Sequence, residues 1–235
     1  AVGYDAAKAM TTGVQNTIVG GNSGAAITTA SNNTAVGYNS LTANTTGGSN
    51  TALGYKAGNS NTTATEMTAV GIEALYSNTT GNTNSALGRR ALYSTTTGVN
   101  NAGFGARTLY TNTTGSYNVS IGMDSLYSNT TASNNTAVGY FALYANTTGT
   151  RNVAVGASSL DANTTGNYNI AVGNVSLSAN TTGSENTALG DYALADNTTG
   201  ATNVAVGKQA LGLNTTASNN TAIGYEALLA NTTGH

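Results

Sequence analysis

The sequence has no cysteine, no proline and no tryptophan, and charged residues make up only 7% of its 235 positions. Without cysteine, no disulfide and no thiolate metal site can form. The net charge is −2 and the seven basic residues are scattered along the sequence, whereas binding of nucleic-acid phosphates needs clustered Lys and Arg. No apolar run approaches the roughly 18 residues of a membrane-spanning helix. These shortages predict a segment that binds no nucleic acid and inserts into no membrane.

A glycine recurs every 17 residues, fourteen times from Gly3 to Gly224. With this glycine as position 5, the repeat reads N-T-A-V-G-Y-x-A-L-x-x-N-T-T-G-x-x, which residues 33–47 follow closely. Position 4 is apolar in every copy, position 9 is Leu in eleven copies, and positions 13 and 14 are always Thr. Such a period is the signature of a repeat architecture. It predicts one array of fourteen coils over residues 1–235, and we expect this array to be a slice of a longer one.

The repeat indicates β-structure rather than helix. Residues 34–38 alternate between larger and small side chains, which is the period of a strand. A fixed glycine and a recurring Asn-Thr-Thr-Gly turn oppose any long helix. We therefore predict an all-β fold, a parallel β-solenoid (β-roll) with two short strands in each 17-residue coil. The invariant glycine is expected where φ is positive or where the backbone of a neighbouring coil leaves no room for a Cβ atom.

Self-association is expected from the pattern of small residues. Strand alternation places positions 3 and 5, which are Ala and Gly, on one face, and we expect the large apolar residues of positions 4 and 9 to be buried. A face kept this small in every coil suggests that a neighbouring chain packs against it. The sequence thus predicts parallel solenoids that share an axis, as a homotrimer, with end-to-end assembly into a filament as a further possibility.

The N-T-A-V-G segments at residues 33–37, 135–139 and 220–224 resemble the N-S-V-A-I-G motif of head repeats in YadA-like trimeric autotransporter adhesins. The longer repeat is also similar to tail-fibre-like proteins that end in a chaperone of the endosialidase type. The resemblance covers the whole chain, although the adhesin head repeat is shorter. It implies a homotrimer of left-handed, parallel β-rolls that acts as an extended fibre outside the cell, on a cell surface or on a virion.

Residues for catalysis are scarce. The only histidine is His235, and the nine acidic residues occupy varying positions of the repeat. Carboxylates on adjacent coils could form a polysaccharide-cleaving site, but no local break in the repeat offers a cleft for it. We therefore expect no enzyme activity, no cofactor and no bound metal. The leading hypothesis is a structural or adhesive extracellular fibre segment; the alternatives are a solenoid that binds glycan or ice and, last, a polysaccharide-degrading spike.

Tyrosine fills position 10 in five consecutive coils, which predicts an aromatic stripe at about the 4.8 Å spacing of strands. The stripe either stabilises the coils by stacking or binds a sugar or another surface ligand, and both interpretations stay open on the sequence alone. Its members are Tyr76, Tyr93, Tyr110, Tyr127 and Tyr144.

The Asn-Thr-Thr turns have two further interpretations. Eleven of them match the acceptor pattern for N-glycosylation, but a turn that needs Asn and Thr produces the same motif. The paired threonines could also form a hydroxyl array of the kind that binds ice. Adjacent residues of an extended segment point to opposite faces, so we expect only one of the two rows to be exposed.

Overall fold

The computed structural model describes residues 1–232 and 234, and its contacts divide the chain into two compact units, Ala1–Tyr117 and Asn118–His235. His235 itself lies outside the described residues. The strands of the first unit are β1 Thr17–Val19, β2 Thr34–Val36, β3 Thr51–Leu53, β4 Thr68–Val70, β5 Ser85–Leu87 and β6 Ala102–Phe104. Those of the second unit are β7 Val119–Ile121, β8 Thr136–Val138, β9 Val153–Val155, β10 Ile170–Val172, β11 Thr187–Leu189, β12 Val204–Val206 and β13 Thr221–Ile223.

Within each unit, every strand pairs in parallel with the next strand along the chain. The paired residues are always 17 positions apart, as Ala35 and Ala52 are in the first unit and Ala154 and Ala171 in the second. Equivalent side chains therefore lie in columns. This register confirms the prediction of an all-β, parallel β-solenoid with 17-residue coils; the oligomeric state and the single uninterrupted array remain predictions.

From the second coil onward, each coil contains one strand, at positions 2–4, and not the two that we expected; the first coil has only an isolated bridge at Val2. The remaining residues form turns, because the backbone enters the left-handed region at positions 7, 9 and 17, as at Asn39, Leu41 and Ser49. A strand needs extended backbone. Hydrogen bonds between coils continue through these turns, as from the Leu143 N–H to the Ser159 carbonyl at 3.0 Å.

The interior of the solenoid is filled by position 3 from the strand and by position 9 from the opposite turn. Ala137 and Leu143 are both fully buried, and so are their equivalents in nearly every coil. Position 3 is small because it faces this leucine across a narrow interior. At Gly103, for example, an added Cβ would collide with the Leu92 side chain, and Thr108 stands nearby where most coils have alanine or serine.

The inward direction of position 3 overturns our reason for expecting a neighbouring chain on the small face. That face is covered by the chain's own leucines. The apolar residues of position 4 were expected to be buried, and this was wrong: they lie on the outer side of the strand, where Leu53 is 47% exposed and Leu87 49% exposed. Successive strand residues point to opposite faces, so burying position 3 turns position 4 outward.

Two columns of buried asparagine line the interior beside the leucines. At position 12, Nδ2 of Asn163 donates to Oδ1 of Asn146 at 2.9 Å and to the Gly166 carbonyl at 3.0 Å. At position 1, Oδ1 of Asn135 accepts the backbone N–H of Asn152 at 2.9 Å. A buried polar group needs such partners, and the columns supply them for most of these amides; among the described residues, the buried Oδ1 atoms of Asn78 and Asn214 have no hydrogen-bond partner. Asparagine recurs at positions 1 and 12 of the repeat, and amides that stack in register are expected to bond the copies above and below; the observed ladder confirms this expectation.

Position 5 has both properties that its invariance predicted. Its φ lies between 124° and 140° in every copy. A Cβ atom added to Gly190 would also lie 2.7 Å from the carbonyl oxygen of Gly207 in the next coil. Position 15 is different, because none of its glycines has φ in the left-handed region, and alanine replaces glycine there in four coils.

Position 9 holds leucine in the same left-handed region, with φ of 54° at Leu143. Non-glycine residues avoid this conformation at a cost of about 1–2 kcal/mol each. The leucine is retained because its side chain fills the interior. Where Gly58 takes this position, the Cε atom of Met67 occupies the vacated space; where Gly24 takes it, Ile27 does so.

Candidate functional site

The outer face of the strands carries an exposed column of apolar side chains, which we name the apolar stripe. It consists of position 4, flanked on the same face by position 2, and none of these residues is charged. In the first unit the position-4 residues are Val2, Val19, Val36, Leu53, Val70, Leu87 and Phe104; in the second they are Ile121, Val138, Val155, Val172, Leu189, Val206 and Ile223.

The exposure of the apolar stripe is unusual for a parallel sheet. Parallel sheets are normally covered on both faces, and contiguous exposed apolar patches mark interaction sites. Phe104 and Ile121 are each 39% exposed, and Val172 is 37% exposed. This surface was not predicted from the sequence, because we expected position 4 to lie in the core. The available signal was the alternation itself, since only one of positions 3 and 4 can face inward.

The tyrosine stripe of the first unit is a face-to-face stack. The ring centroids of Tyr76 and Tyr93 are 5.1 Å apart, and those of Tyr93 and Tyr110 are 5.2 Å apart, with the planes 7° and 10° from parallel. The Nζ atom of Lys56 lies 5.8 Å from the centroid of Tyr76, within the range of a cation–π contact. The predicted column is therefore present, and its ring faces are occupied by neighbouring rings.

In the second unit, Tyr127 and Tyr144 stack with centroids 5.3 Å apart. Phe141 also stacks on Tyr144, at 4.6 Å. A sugar ring binds to an aromatic side chain through the open face of the ring, and in both stacks the faces are turned toward one another. The geometry favours the stabilising interpretation of the stripe, while its role as a binding surface stays a prediction.

The two threonine rows have different environments. The position-13 hydroxyls are used within the fold: Oγ1 of Thr45 donates to the Thr62 carbonyl at 3.0 Å, and Oγ1 of Thr147 donates to the Thr164 carbonyl at 3.0 Å. Position 14, as at Thr46 and Thr148, is exposed in every described coil. Position 13 is half-buried in most coils, which agrees with the expectation of one exposed row; the exceptions are Thr11, Thr215 and Thr232, which are exposed.

All but one of the asparagines of the glycosylation motifs are inaccessible in the folded chain. Ten of the eleven are fully buried; Asn231 is partly exposed. Their Nδ2 atoms, to which a glycan would be attached, donate to the asparagine column or to the position-15 carbonyl, as Asn180 does at 2.9 Å and 3.0 Å. The motif therefore follows from the turn, as one of our two interpretations proposed.

Charged groups form few contacts. Arg90 pairs with Glu73 at 2.6 Å, and Arg90 also lies over the ring of Tyr93 at 5.6 Å. Across residues 1–232 and 234 there is no group of three or more His, Asp or Glu side chains with the spacing of a metal site. In the same range, no helix has the length and apolar character needed to cross a bilayer.

Asp161 stands at position 10, where partial burial changes the pKa of its carboxyl. Partial burial raises the pKa of its carboxyl above the ordinary value, offset in part by hydrogen bonds from its own amide, the Ala162 amide and the Ser158 hydroxyl. The folded chain therefore binds this proton more tightly than the unfolded chain does. The contribution to stability should be greatest below the unfolded pKa and lost as pH rises through the folded pKa.

We expect the free energy of unfolding of the native chain, relative to an Asp161→Asn variant, to increase as pH falls from 7 toward about 4. Denaturant titrations of both proteins at several pH values measure this difference. A difference that stays constant, or that shrinks on acidification, would contradict the assignment.

The surfaces described above are the stacked tyrosines, whose ring faces contact one another, the single row of exposed threonines, and the apolar stripe. Known proteins offer no further guide to its role. No protein family, curated protein or solved structure matches this chain.

Proposed function

We propose that the chain is a non-enzymatic structural segment of an extracellular fibre, and that it self-associates in parallel through the apolar stripe as a homotrimer. The exposed apolar column of the strands carries this proposal. The resemblance of the N-T-A-V-G segments to adhesin head repeats supports the extracellular location and the number of chains. A regular solenoid provides length and stiffness without any catalytic site.

The composition of the apolar stripe suits a second and third copy of the same chain. Because positions 2 and 4 carry no charge in any coil, parallel copies can face one another without repulsion between like charges. Equivalent residues recur every coil, so two copies in register meet along the whole unit. The stripe's exposed Val, Leu, Ile and Phe side chains would gain about 25 cal/mol for each Å² of apolar surface removed from water.

Ice binding receives less support from this geometry. A surface that matches a crystal lattice has to be regular, but position 4 varies between Val138, Leu87 and Phe104 in size. The exposed threonines of position 14 form a single row, since the hydroxyls of position 13 are bonded within the fold. Variation in size is compatible with an interface, where side chains interdigitate.

The proposal predicts a particle of three times the 23.3 kDa chain mass in light scattering. Replacing both Val155 and Val172 by Lys places charges in the middle of the second unit's stripe, and burying unpaired charges is strongly unfavourable. We expect this variant to be monomeric with an unchanged circular dichroism spectrum.

The matched control replaces Thr148 and Thr165 by Lys, because these residues are exposed on the position-14 row and lie outside the stripe. We expect the control to keep the native mass. A native protein with the mass of one chain, or a stripe variant that still forms trimers, would overturn the proposal.

A further inference from the structure

Position 10 changes character along the second unit. It is occupied by the stacked rings of Tyr127 and Tyr144 in the first coils of the unit and by the small residues Ala195 and Gly212 further along. Where the two small residues stand, the surface has an open cavity of about 110 Å³. The cavity is thus the space that a tyrosine fills in the earlier coils.

The walls of this cavity come from the columns on either side of position 10. Tyr192 and Gln209 line it from position 7, and Asp196 and Leu213 line it from position 11. The position-10 residues Ala195, Gly212 and Leu229 also line the cavity. Backbone hydrogen bonds hold the two coils together at this point: the Asp196 N–H donates to the Gly212 carbonyl at 3.0 Å, and the Gln209 N–H donates to the Asp191 carbonyl at 3.0 Å.

Three polar side chains in the cavity wall have no hydrogen-bond partner among the described residues. Within residues 1–232 and 234, the carboxylate of Asp196, the carboxamide of Gln209 and the hydroxyl of Tyr192 form no hydrogen bond or ion pair. No other aromatic ring in that range stacks on Tyr192, which is 43% exposed. The stacked tyrosines differ in this respect, since their ring faces are occupied.

We propose that this cavity is a binding subsite for a neutral hexopyranose unit of a saccharide. One face of a pyranose ring is apolar and packs on an aromatic side chain, while its hydroxyl groups need both acceptors and donors. Tyr192 supplies the aromatic surface, Asp196 supplies acceptors, and Gln209 supplies a donor and an acceptor. At about 110 Å³ the cavity is smaller than the roughly 300–1,000 Å³ of a typical small-ligand site, so a saccharide would enter it with one ring, and the remainder would stay outside.

The negative charge in the cavity wall disfavours anionic ligands. Asp196 is the only charged residue in the cavity wall, so a phosphate, a sulfated sugar or a uronic acid would meet repulsion. A lone carboxylate is also too few ligands for a divalent cation. A primary ammonium group is the competing ligand, because it would be attracted by Asp196 and by an aromatic face, and the experiment separates the two.

The test titrates the native protein with methyl β-glucopyranoside, lactose and cellobiose up to about 10 mM, and separately with Nα-acetyl-lysine, whose side chain carries a primary ammonium group. Binding is followed by NMR through the backbone amide signals of Ala195, Asp196 and Gly212. We expect at least one of these saccharides to shift these signals in a saturable way. Tyr192→Ala should weaken binding roughly tenfold, and Asp196→Asn should weaken it less, because an amide still offers an acceptor.

Ala195→Tyr fills the cavity with the residue that position 10 carries in five other coils, so the fold is retained and binding should be abolished. Tyr168→Ala is the matched control, since Tyr168 is 49% exposed in the same unit but does not line the cavity; binding should be unchanged. The proposal is overturned if no saccharide shifts these signals, if Ala195→Tyr binds as the native protein does, or if only Nα-acetyl-lysine binds.

Discussion

Replacing Asn163 by aspartate is expected to lower the free energy of unfolding by about 3–5 kcal/mol at neutral pH, as an uncompensated buried charge does. The side chain is fully buried, and its Nδ2 atom donates to both the Asn146 Oδ1 atom and the Gly166 carbonyl. The side chain of aspartate has no N–H group. A carboxylate oxygen would therefore face two acceptors, and both hydrogen bonds that Nδ2 donates would be lost inside the solenoid.

The loss of stability at residue 163 should depend on pH in a defined direction. Burial and the two facing acceptors raise the pKa of the new carboxyl above its unfolded value. The variant should therefore regain stability as pH falls from 7 toward about 4, where the carboxyl is protonated and can donate again. Denaturant titrations at several pH values measure both effects.

Asn134→Asp is the control for this prediction. Asn134 belongs to the same unit and is exposed, and it has a φ of 63° that aspartate also tolerates. This control should stay within about 0.5 kcal/mol of the native protein. If the two variants were equally stable at neutral pH, the asparagine column would not be a requirement of the fold.

A second large effect is expected at the invariant glycine. Gly190→Ala places a side chain at a φ of 132°, which non-glycine residues rarely adopt, and directs its Cβ to within 2.7 Å of the Gly207 carbonyl oxygen. The backbone strain alone costs about 1–3 kcal/mol. Because the colliding atoms belong to the backbone of the next coil, relief would require the two coils to separate. We expect a total loss of at least about 3 kcal/mol in thermal or denaturant unfolding.

Gly212→Ala is the control for the Gly190→Ala variant. Gly212 has no φ in the left-handed region; the nearest atoms to an added Cβ are Cδ1, at the end of the Leu229 side chain, at 2.9 Å and the Gln209 carbonyl oxygen at 3.1 Å. Alanine occupies the equivalent position at Ala195. The cost should stay below about 1 kcal/mol, and a result in the opposite order would remove the proposed reason for the fixed glycine.

Much of the architecture could be predicted from the spacing of residues. A 17-residue period fixed the length of the coil, and the invariance of Gly190 and its equivalents indicated a backbone approach that the structure contains. The asparagine columns followed from the same reasoning, because any residue that recurs once per coil must lie above its own copy. These predictions depended on periodicity alone.

The direction of side chains could not be obtained in this way. Leu143 has a left-handed backbone conformation that leucine seldom adopts, so nothing in its identity indicated a turn. We therefore predicted a second strand where the chain bends. The cavity near Tyr192 also lay beyond prediction, because it depends on small residues in one column being adjacent to larger residues in two others.

The asparagine columns also restrict how such a chain can change in length. Most rungs join residues that are 17 positions apart, as Asn135 and Asn152 or Asn146 and Asn163 are, so inserting or deleting a whole coil keeps these rungs matched. An insertion of any other size shifts the downstream rungs against their partners and leaves amides unpaired in the interior. Unequal recombination between repeats is therefore a route by which such a chain can lengthen or shorten. We expect the genes of related chains to differ in length by whole 17-residue repeats.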